Sequence, residues 1–288
     1  MKDKMAKYTM KDFDIEFPDD DTCLEYIFRR RFPDGVKCSE CEVVTKHHKV
    51  VNRPCYECDY CGHQIYPTAG TIFHKSSTPL RIWFQAMYRM SSTRCGISAK
   101  QIQRETGVTY KTAWRMFKQI RKLLNENSSI LTNEVEVDES YFGGKAKGKR
   151  GRGAENKTAV IGIAQRQGKV VIKVATDTKR STVMPFIAKN VAQKAIVYTD
   201  EYPVYDTVNR LGMRHESVNH GCKEYVNGRV HTNTIESFWS LTKRGIDGVY
   251  HAVSPKYLQS YLNEYAFRHN HRNDEQAMFQ TFLDQISA

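Results

Sequence analysis

Residues 134–144 read Glu-Val-Glu-Val-Asp-Glu-Ser-Tyr-Phe-Gly-Gly, and the fold turns on how that stretch is read. Val135 and Val137 alternate with Glu134, Glu136 and Asp138, the period of two that marks a half-buried strand. The strand closes on Gly143 and Gly144 and runs into a basic loop, KAKGKRGRG. A carboxylate at the end of a buried strand is one way to hold a metal ion, yet acidic residues on strand faces are commonly just solvated. Glu134 and Glu136 read as such face residues, and Glu139 points to the opposite side from Asp138. Asp138 counts as a site only if the rest of the chain supplies it with partners.

Working outward, strand-like runs follow at 158–165 and 169–176, then a helical segment at 181–192 and a strand at 195–199. A short helix near 203–210, a strand near 213–218 and helices at 234–244 and 255–270 complete that half. Three antiparallel-looking strands followed by alternating helices and strands indicate a layered α/β domain, an order compatible with a ribonuclease H-like fold. Upstream, residues 10–34 read as a short acidic arm and an amphipathic helix around Cys23 to Phe32. Residues 80–90 look helical, and 98–124 look like two helices separated by a turn at Gly107. The polar stretch NENSS at 125–129 is the best domain boundary. The expected division is an arm and helix at 1–34, a Cys-rich segment at 35–73, a basic helical region at 79–126, the α/β domain at 130–275 and a tail at 276–288.

A chain of 288 residues with 40% hydrophobic and 11% aromatic residues can bury a substantial core and is not of a disordered composition. The first residues are charged, so no secretory signal is expected, and no run approaches the ~18 apolar residues of a membrane span. The protein is expected to be soluble and cytoplasmic.

The net charge of +12 is localised. Residues 79–124 carry ten Lys or Arg against Glu105 alone, giving +9, and residues 144–157 carry six against Glu155, giving +5. Residues 1–28 carry four Lys against eight acids, giving −4. Basic blocks beside an acidic strand suit a polyanion held near a metal site, and nucleic acid is the leading partner.

Five of the eight cysteines fall between residues 38 and 61, which argues against a disulfide framework. Cys38-x2-Cys41 and Cys58-x2-Cys61 stand 16 residues apart. Each pair can place two thiolates on one tight knuckle, and two knuckles complete a tetrahedral zinc site. A closed four-thiolate site leaves no position for water, so this zinc is expected to be structural, and metal binding would supply the folding energy of a unit with little core. Cys55 is a spare thiol that could compete with Cys58 or Cys61, and His63 reads as a surface or packing residue.

Residues 98–115 have helix-turn-helix character. Ile102 and Val108 can fill the angle between the helices, Gly107 can take the left-handed turn and Thr109 can cap the second helix. Ala113, Phe117 and Ile120 would face the core, leaving Tyr110, Lys111, Arg115 and Lys118 outward for groove and phosphate contacts.

Two partners for Asp138 are legible. Ala195–Asp200 is an apolar strand ending in a second carboxylate, although an Asp ahead of Pro203 can also serve a turn. Glu236 lies in HTNTIESFWSLTKRG, where Asn233-x-x-Glu236 can alternatively be a capping box. On that helix Ile235, Phe238 and Leu241 form the expected core face, with Glu236, Ser240 and Lys243 opposite. At ~1.5 Å per residue Lys243 lies roughly 10 Å beyond Glu236 on the same face, suited to holding a phosphate beside a metal-binding glutamate. Three carboxylates could hold two Mg2+ (or Mn2+) ions through oxygen ligands, with Asp138 bridging, for in-line displacement at phosphorus.

Across nearly its whole length the chain resembles bacterial insertion-sequence DDE transposases of the ISXO-like (insertion-sequence fifteen-ninety-five) group. The resemblance rests on RRRFPDGVKCSEC, both CxxC knuckles, GHQIYPTAGTIFHKSSTPLRIWF, VDESYFGG, YTDEYPVY, HTNTIESFWSLTKRG and YAFRHNHR, in that order. It implies a zinc ribbon, a helix-turn-helix and a ribonuclease H-like catalytic domain that moves DNA by cleavage and strand transfer. Asp138, Asp200 and Glu236 match the acidic triad, with 35 residues between the last two, and Lys243 matches the basic residue that follows. Some relatives carry Asn at the third acidic position, which keeps Asn233 as a lesser candidate. Double-stranded DNA, both element terminal inverted repeats and target, is the implied partner of a homodimer or larger assembly. Lys145, Lys147, Lys149, Arg150 and Arg152 would then form a DNA-contacting arm, joined by Lys243 and Arg244. The competing readings are a zinc-ribbon DNA-binding regulator without catalysis and a nuclease of the same fold.

Overall fold

The computed structural model describes residues 8–126, 130–144, 157–218, 229–274 and 276–287. The chain forms two compact units, one of residues 1–123 with 274–288 and one of residues 124–273.

The first unit begins with α1 (Met10–Glu16), closed by a Thr9–Asp12 capping box, and α2 (Asp20–Arg31), capped by Asp19. Five short strands follow in two small sheets: β1 (Val36–Lys37) with β2 (Val44–Thr45), and β3 (His47–Lys49), β4 (Tyr56–Cys58) and β5 (Gln64–Ile65). Next come α3 (Leu80–Ser92), α4 (Ala99–Thr106) and α5 (Tyr110–Leu123). The core is aromatic: Phe13, Phe17, Phe73, Trp83 and Phe84 are buried, with Phe17 and Phe84 edge to face at 4.9 Å. Residues 276–288, expected to be a tail, instead carry α9 (Met278–Asp284). Its Phe279, Phe282 and Leu283 are buried, and Phe279 packs on Phe13 and Tyr88. An apolar stripe of that size has to be covered, so these residues belong to the first unit although 150 residues of the second unit separate them from the rest of it.

The second unit is built on a five-stranded sheet. Its strands are β6 (Glu134–Phe142), β7 (Thr158–Gln165), β8 (Val170–Ala175), β9 (Ile196–Thr199) and β10 (Arg214–Ser217), in the spatial order β10-β9-β6-β7-β8. β7 runs antiparallel to both β6 and β8, whereas β9 is parallel to β6 and β10 is parallel to β9. This is the ribonuclease H-like arrangement that the order of elements anticipates. Between β8 and β9 lies α6 (Arg180–Asn190), and between β9 and β10 a 3-10 helix, Pro203–Leu211. α7 (Asn233–Gly245) and α8 (Pro255–Asn270) complete the unit.

The alternation of β6 sorts its side chains between two cores. Val135 and Val137 pack with Val183, Ile187, Tyr205 and Val208 of α6 and the 3-10 helix. The other face meets Ile235, Phe238 and Trp239 of α7 and Leu262 and Tyr265 of α8, beneath Val160 and Ala164 of β7. The outer edge of β8 is not left open. Asn270 of α8 accepts from Val170 N at 2.7 Å and donates to Val170 O, and Gln259 accepts from Val174 N. Side-chain amides thus satisfy an edge that would otherwise template further pairing. Among the described residues no helix is long and apolar enough to cross a membrane.

Candidate active site and thiolate centre

The acidic cluster is made by strand register. β6 and β9 are parallel with Glu136 opposite Tyr198, so two residues further on Asp138 and Asp200 leave adjacent strands side by side. The turn after β9 is held by Asp200 itself, whose Oδ1 accepts from Tyr202 N at 3.1 Å. Asp138 is pushed up to about 7 by burial first, then by the carboxylates of Glu139 and Asp200, with a further contribution from Glu236. Desolvation and clustered like charge both disfavour the ionised form, and a divalent cation would reverse both effects. The oxygen donors therefore fit a hard divalent ion such as Mg2+ or Mn2+.

The structure differs from the expected ligand set in two respects. The carboxylates that come within 4.8 Å of one another are those of Asp138, Asp200 and Glu139. Glu139 does lie on the opposite face of β6, where Tyr205 Oη donates to its Oε1 at 2.8 Å, but its carboxylate reaches the cluster all the same. Alternation tells which face a side chain leaves from; it does not tell how far a flexible glutamate reaches. Glu236 stands on the exposed face of α7 outside that tight group, and its Oε1 accepts from Thr232 Oγ1 at 2.7 Å. Its charge still acts on Asp138.

Glu136 is not a solvated face residue. It is fully buried, and its carboxylate accepts from the backbone N–H of Thr234 at 2.7 Å and of Ile235 at 3.1 Å, and from Thr234 Oγ1 at 3.0 Å. Arg166, in the turn just after β7, pairs with it at 2.9 Å while stacking on the Tyr198 ring, 4.0 Å from its centroid. The capping box suggested by Asn233 and Glu236 is absent. The N-cap residue is Thr232, and the N–H groups at the start of α7 are satisfied by a carboxylate from the sheet instead.

Further along α7 the core face is Ile235, Phe238, Trp239 and Thr242, with Leu241 only half-buried. Trp239 Nε1 donates to Asp138 Oδ2 at 3.2 Å. That approach depends on Gly162, which lies opposite Asp138 in the β6–β7 ladder. A Cβ at Gly162 would stand 2.5 Å from Trp239 Cζ2 and 2.8 Å from Ile235 Cδ1. Lys243, on the face of Glu236, has its Nζ 5.7 Å from the Phe142 ring centroid. Desolvation lowers its ammonium, and the nearby Asp138 carboxylate opposes that. Arg244 is exposed, and its Nε meets Ser240 O at 3.3 Å. The basic arm Lys145, Lys147, Lys149, Arg150 and Arg152 lies outside the described residues.

In the first unit the thiols of Cys38, Cys41, Cys58 and Cys61 all lie within 4.8 Å of one another. Two knuckles with the same backbone hydrogen-bond pattern put them there. Cys38 N–H donates to Val43 O and Glu42 N–H to Cys38 O; Cys58 N–H donates to His63 O and Gly62 N–H to Cys58 O. Each loop turns through a left-handed residue, Glu42 at φ 58° and Gly62 at φ 74°. Cys58 is pushed down to about 6, first by the Thr45 hydroxyl and then by backbone N–H groups of its own knuckle, which favours the metal-binding thiolate. Cys55 is buried away from this group, its Sγ 3.7 Å from Gln64 Oε1. His63 rests against Ser39 Oγ at 3.1 Å.

The two-helix region takes the expected form. Gly107 is left-handed at φ 74°, Thr109 Oγ1 accepts from Thr112 N, and Ile102, Ala113, Phe117 and Ile120 are buried together with Met116. Tyr110 and Lys111 are exposed on the second helix. Lys118 is only half-exposed, its Nζ 5.5 Å from the Trp114 ring centroid. Arg115 is exposed but engaged within its own unit: it donates to Ser76 Oγ at 3.2 Å and lies over the Trp83 ring.

Residues 130–270 match the family described as ISXO2-like transposase domain, and residues 18–64 match the transposase zinc-ribbon domain. A Halobacterium salinarum protein, described as an uncharacterized protein in transposable element ISH50, is 32% identical over 259 residues, spanning 83% of this chain and 86% of that protein. A Haemophilus influenzae protein described as transposase-like is 28% identical over 102 residues, 35% of this chain and 81% of that protein. Among solved structures, a simian T-cell lymphotropic virus intasome with the PP2A regulatory subunit B56 gamma aligns at a TM-score of 0.31 and 13% identity, over 62% of this chain and 66% of that chain. A pre-cleavage Mos1 transpososome aligns at 0.23 and 12% identity, over 71% and 78%.

Proposed function

The chain belongs to the ISXO2-like transposase family with an N-terminal zinc ribbon, and on that footing we propose that it is an active DDE transposase that cuts and joins DNA at its element's ends. The observation that carries this reading is the convergence of Asp138 on β6 with Asp200 just beyond the parallel strand β9, where burial and the neighbouring carboxylates push Asp138 up to about 7. Asp138, Asp200 and Glu236 would hold two Mg2+ or Mn2+ ions, with Glu139 close enough to join them. Bound there, divalent ions supply activation of the attacking oxygen and stabilisation of the leaving oxygen in an in-line displacement.

The chain's own residues do the rest. Trp239 and the Asp200 turn hold the carboxylates in place, and Lys243 offers a cation for the phosphate of the strand being cut. The zinc ribbon at 35–73 and the helix-turn-helix at 79–126 recognise the terminal inverted repeats through Tyr110, Lys111, Arg115 and Lys118, and the catalytic domain spans 130–275. Lys145, Lys147, Lys149, Arg150, Arg152 and Arg244 add phosphate contacts beside the acidic cluster. The protein acts as a dimer or larger assembly on paired ends, in the bacterial cytoplasm and in association with the nucleoid. Zinc is structural, held by Cys38, Cys41, Cys58 and Cys61.

The test is a strand-transfer assay on DNA carrying the element's own terminal repeats. Asp138→Ala and Glu236→Gln are expected to abolish Mg2+-dependent end cleavage and joining while end binding persists. Wild-type cleavage by either variant would defeat the site assignment, and cleavage without joining by the unmodified protein would identify a nuclease.

A further inference from the structure

Asp138 sits in the middle of the sheet, and its two oxygens are not equivalent. Oδ2 accepts the indole N–H of Trp239 at 3.2 Å, while the carboxylates of Asp200 and Glu139 converge on the same aspartate from the strand end. Trp239 is almost completely buried, with Phe238 and Phe142 packed edge-on against it at 5.4 Å and 6.0 Å. An indole clamped in this way cannot swing to follow a moving partner.

The clamp has a specific backbone requirement. Gly162 is the ladder partner of Asp138, and the indole edge occupies the volume that any side chain at that position would fill. A bare peptide on β7 thus lets the indole edge approach the strand while Nε1 reaches the carboxylate. For packing alone, a smaller ring over an alanine would fill the same space and leave no buried N–H in need of a partner.

We infer that Trp239, seated on Gly162, is a positioning residue for metal binding: it commits Oδ2 of Asp138 to the indole and presents Oδ1 to the metal in one orientation. The inference rests on the reading of Asp138 as a metal ligand. The terminal torsion of an aspartate is soft, and each ligand oxygen that must be ordered on binding weakens binding. Pre-orientation by a fixed donor removes that cost before the ion arrives. The indole also places a spectroscopic reporter directly against one ligand.

The experiment uses the full chain, zinc-loaded, with Mn2+ as the probe. The protein is labelled with 5-fluorotryptophan, giving 19F resonances for Trp83, Trp114 and Trp239, the last assigned by its loss in Trp239→Phe. Mn2+ is expected to broaden the Trp239 resonance, and Asp138→Ala to abolish that broadening. Calorimetric titration should show Mn2+ binding about tenfold weaker in Trp239→Phe, the change expected from losing one hydrogen bond to a charged group. A chain carrying β-(3-benzothienyl)alanine at position 239 keeps the bicyclic ring and drops only the N–H, so it gives the same weakening even if the phenylalanine variant folds poorly.

Unchanged Mn2+ affinity in the benzothienyl chain would overturn the positioning role and leave Trp239 a packing residue. Asp138→Ala separates the two levels of the argument. If it too leaves Mn2+ binding and Trp239 broadening unchanged, the metal-site reading itself has failed; if it abolishes both while the benzothienyl chain binds normally, only the role of Trp239 has failed.

Discussion

Glu136 accepts the backbone N–H of Ile235 at 3.1 Å, so a carboxylate on the central strand caps a helix that starts nearly a hundred residues later. The same side chain accepts from Thr234 and pairs with Arg166, and it is fully buried. The helix so anchored carries Glu236, Trp239 and Lys243. The start of α7 and the acidic cluster are thereby referred to one strand, two residues apart on β6.

Glu136→Ala removes a buried charge partner and the helix cap together. The expected loss is about 3–5 kcal/mol, the range for breaking a buried ion pair by deleting one member. Urea or guanidinium unfolding of the purified protein measures it, and a loss under about 1 kcal/mol would place Glu136 among ordinary surface acids.

Asp138 makes the metal-free protein sensitive to pH in a direction opposite to the common carboxylate case. Its folded value is raised to about 7, above the ~3.9 of an unfolded chain, so the folded state holds the proton more tightly. Its contribution to stability is complete below pH ~4 and is lost as pH rises through about 7. Asp138→Asn is therefore expected to be less affected than the native chain between those values, and saturating Mg2+ should restore the native chain at pH 8. Denaturant midpoints measured across that window, with and without metal, decide the matter; a native midpoint that climbs relative to Asp138→Asn would reverse the sign.

Zinc content discriminates among the thiols. Cys61→Ser should lose bound zinc and the fold of residues 35–68, whereas Cys55→Ser should keep one zinc per chain, since Cys55 lies outside the four-thiol group. Native mass spectrometry reads both, and loss of zinc from Cys55→Ser would redraw the ligand set.

The exposed and engaged cations of the second helix should behave differently on DNA. Lys111→Ala is expected to lower the slope of log affinity against log salt by about 1, with little effect on stability. Arg115→Ala should also weaken binding but lower the melting temperature as well, because it removes the contacts to Ser76 and the Trp83 ring. Equal melting temperatures for the two variants would contradict that distinction.

Local pattern was enough to read the element order, the two strands that lead to Asp138 and Asp200, the two cysteine knuckles and the left-handed turn at Gly107. Each depends on periodicity or on short-range spacing, which the chain writes along itself. What the sequence concealed was of another kind. Glu134, Glu136 and Asp138 are equivalent in a period-two reading, yet Glu136 is a buried cap and Asp138 a half-buried member of the acidic cluster, because Arg166 and residues 234–239 come to lie over that face. Glu139 leaves the strand on the far side and still reaches the cluster. Residues 278–284 look like a tail until their apolar stripe meets α1 and α3. Burial and hydrogen bonding are properties of what arrives from a distance in sequence. For the opening strand, alternation told which side each residue faces, and folding told which of its acids water can no longer reach.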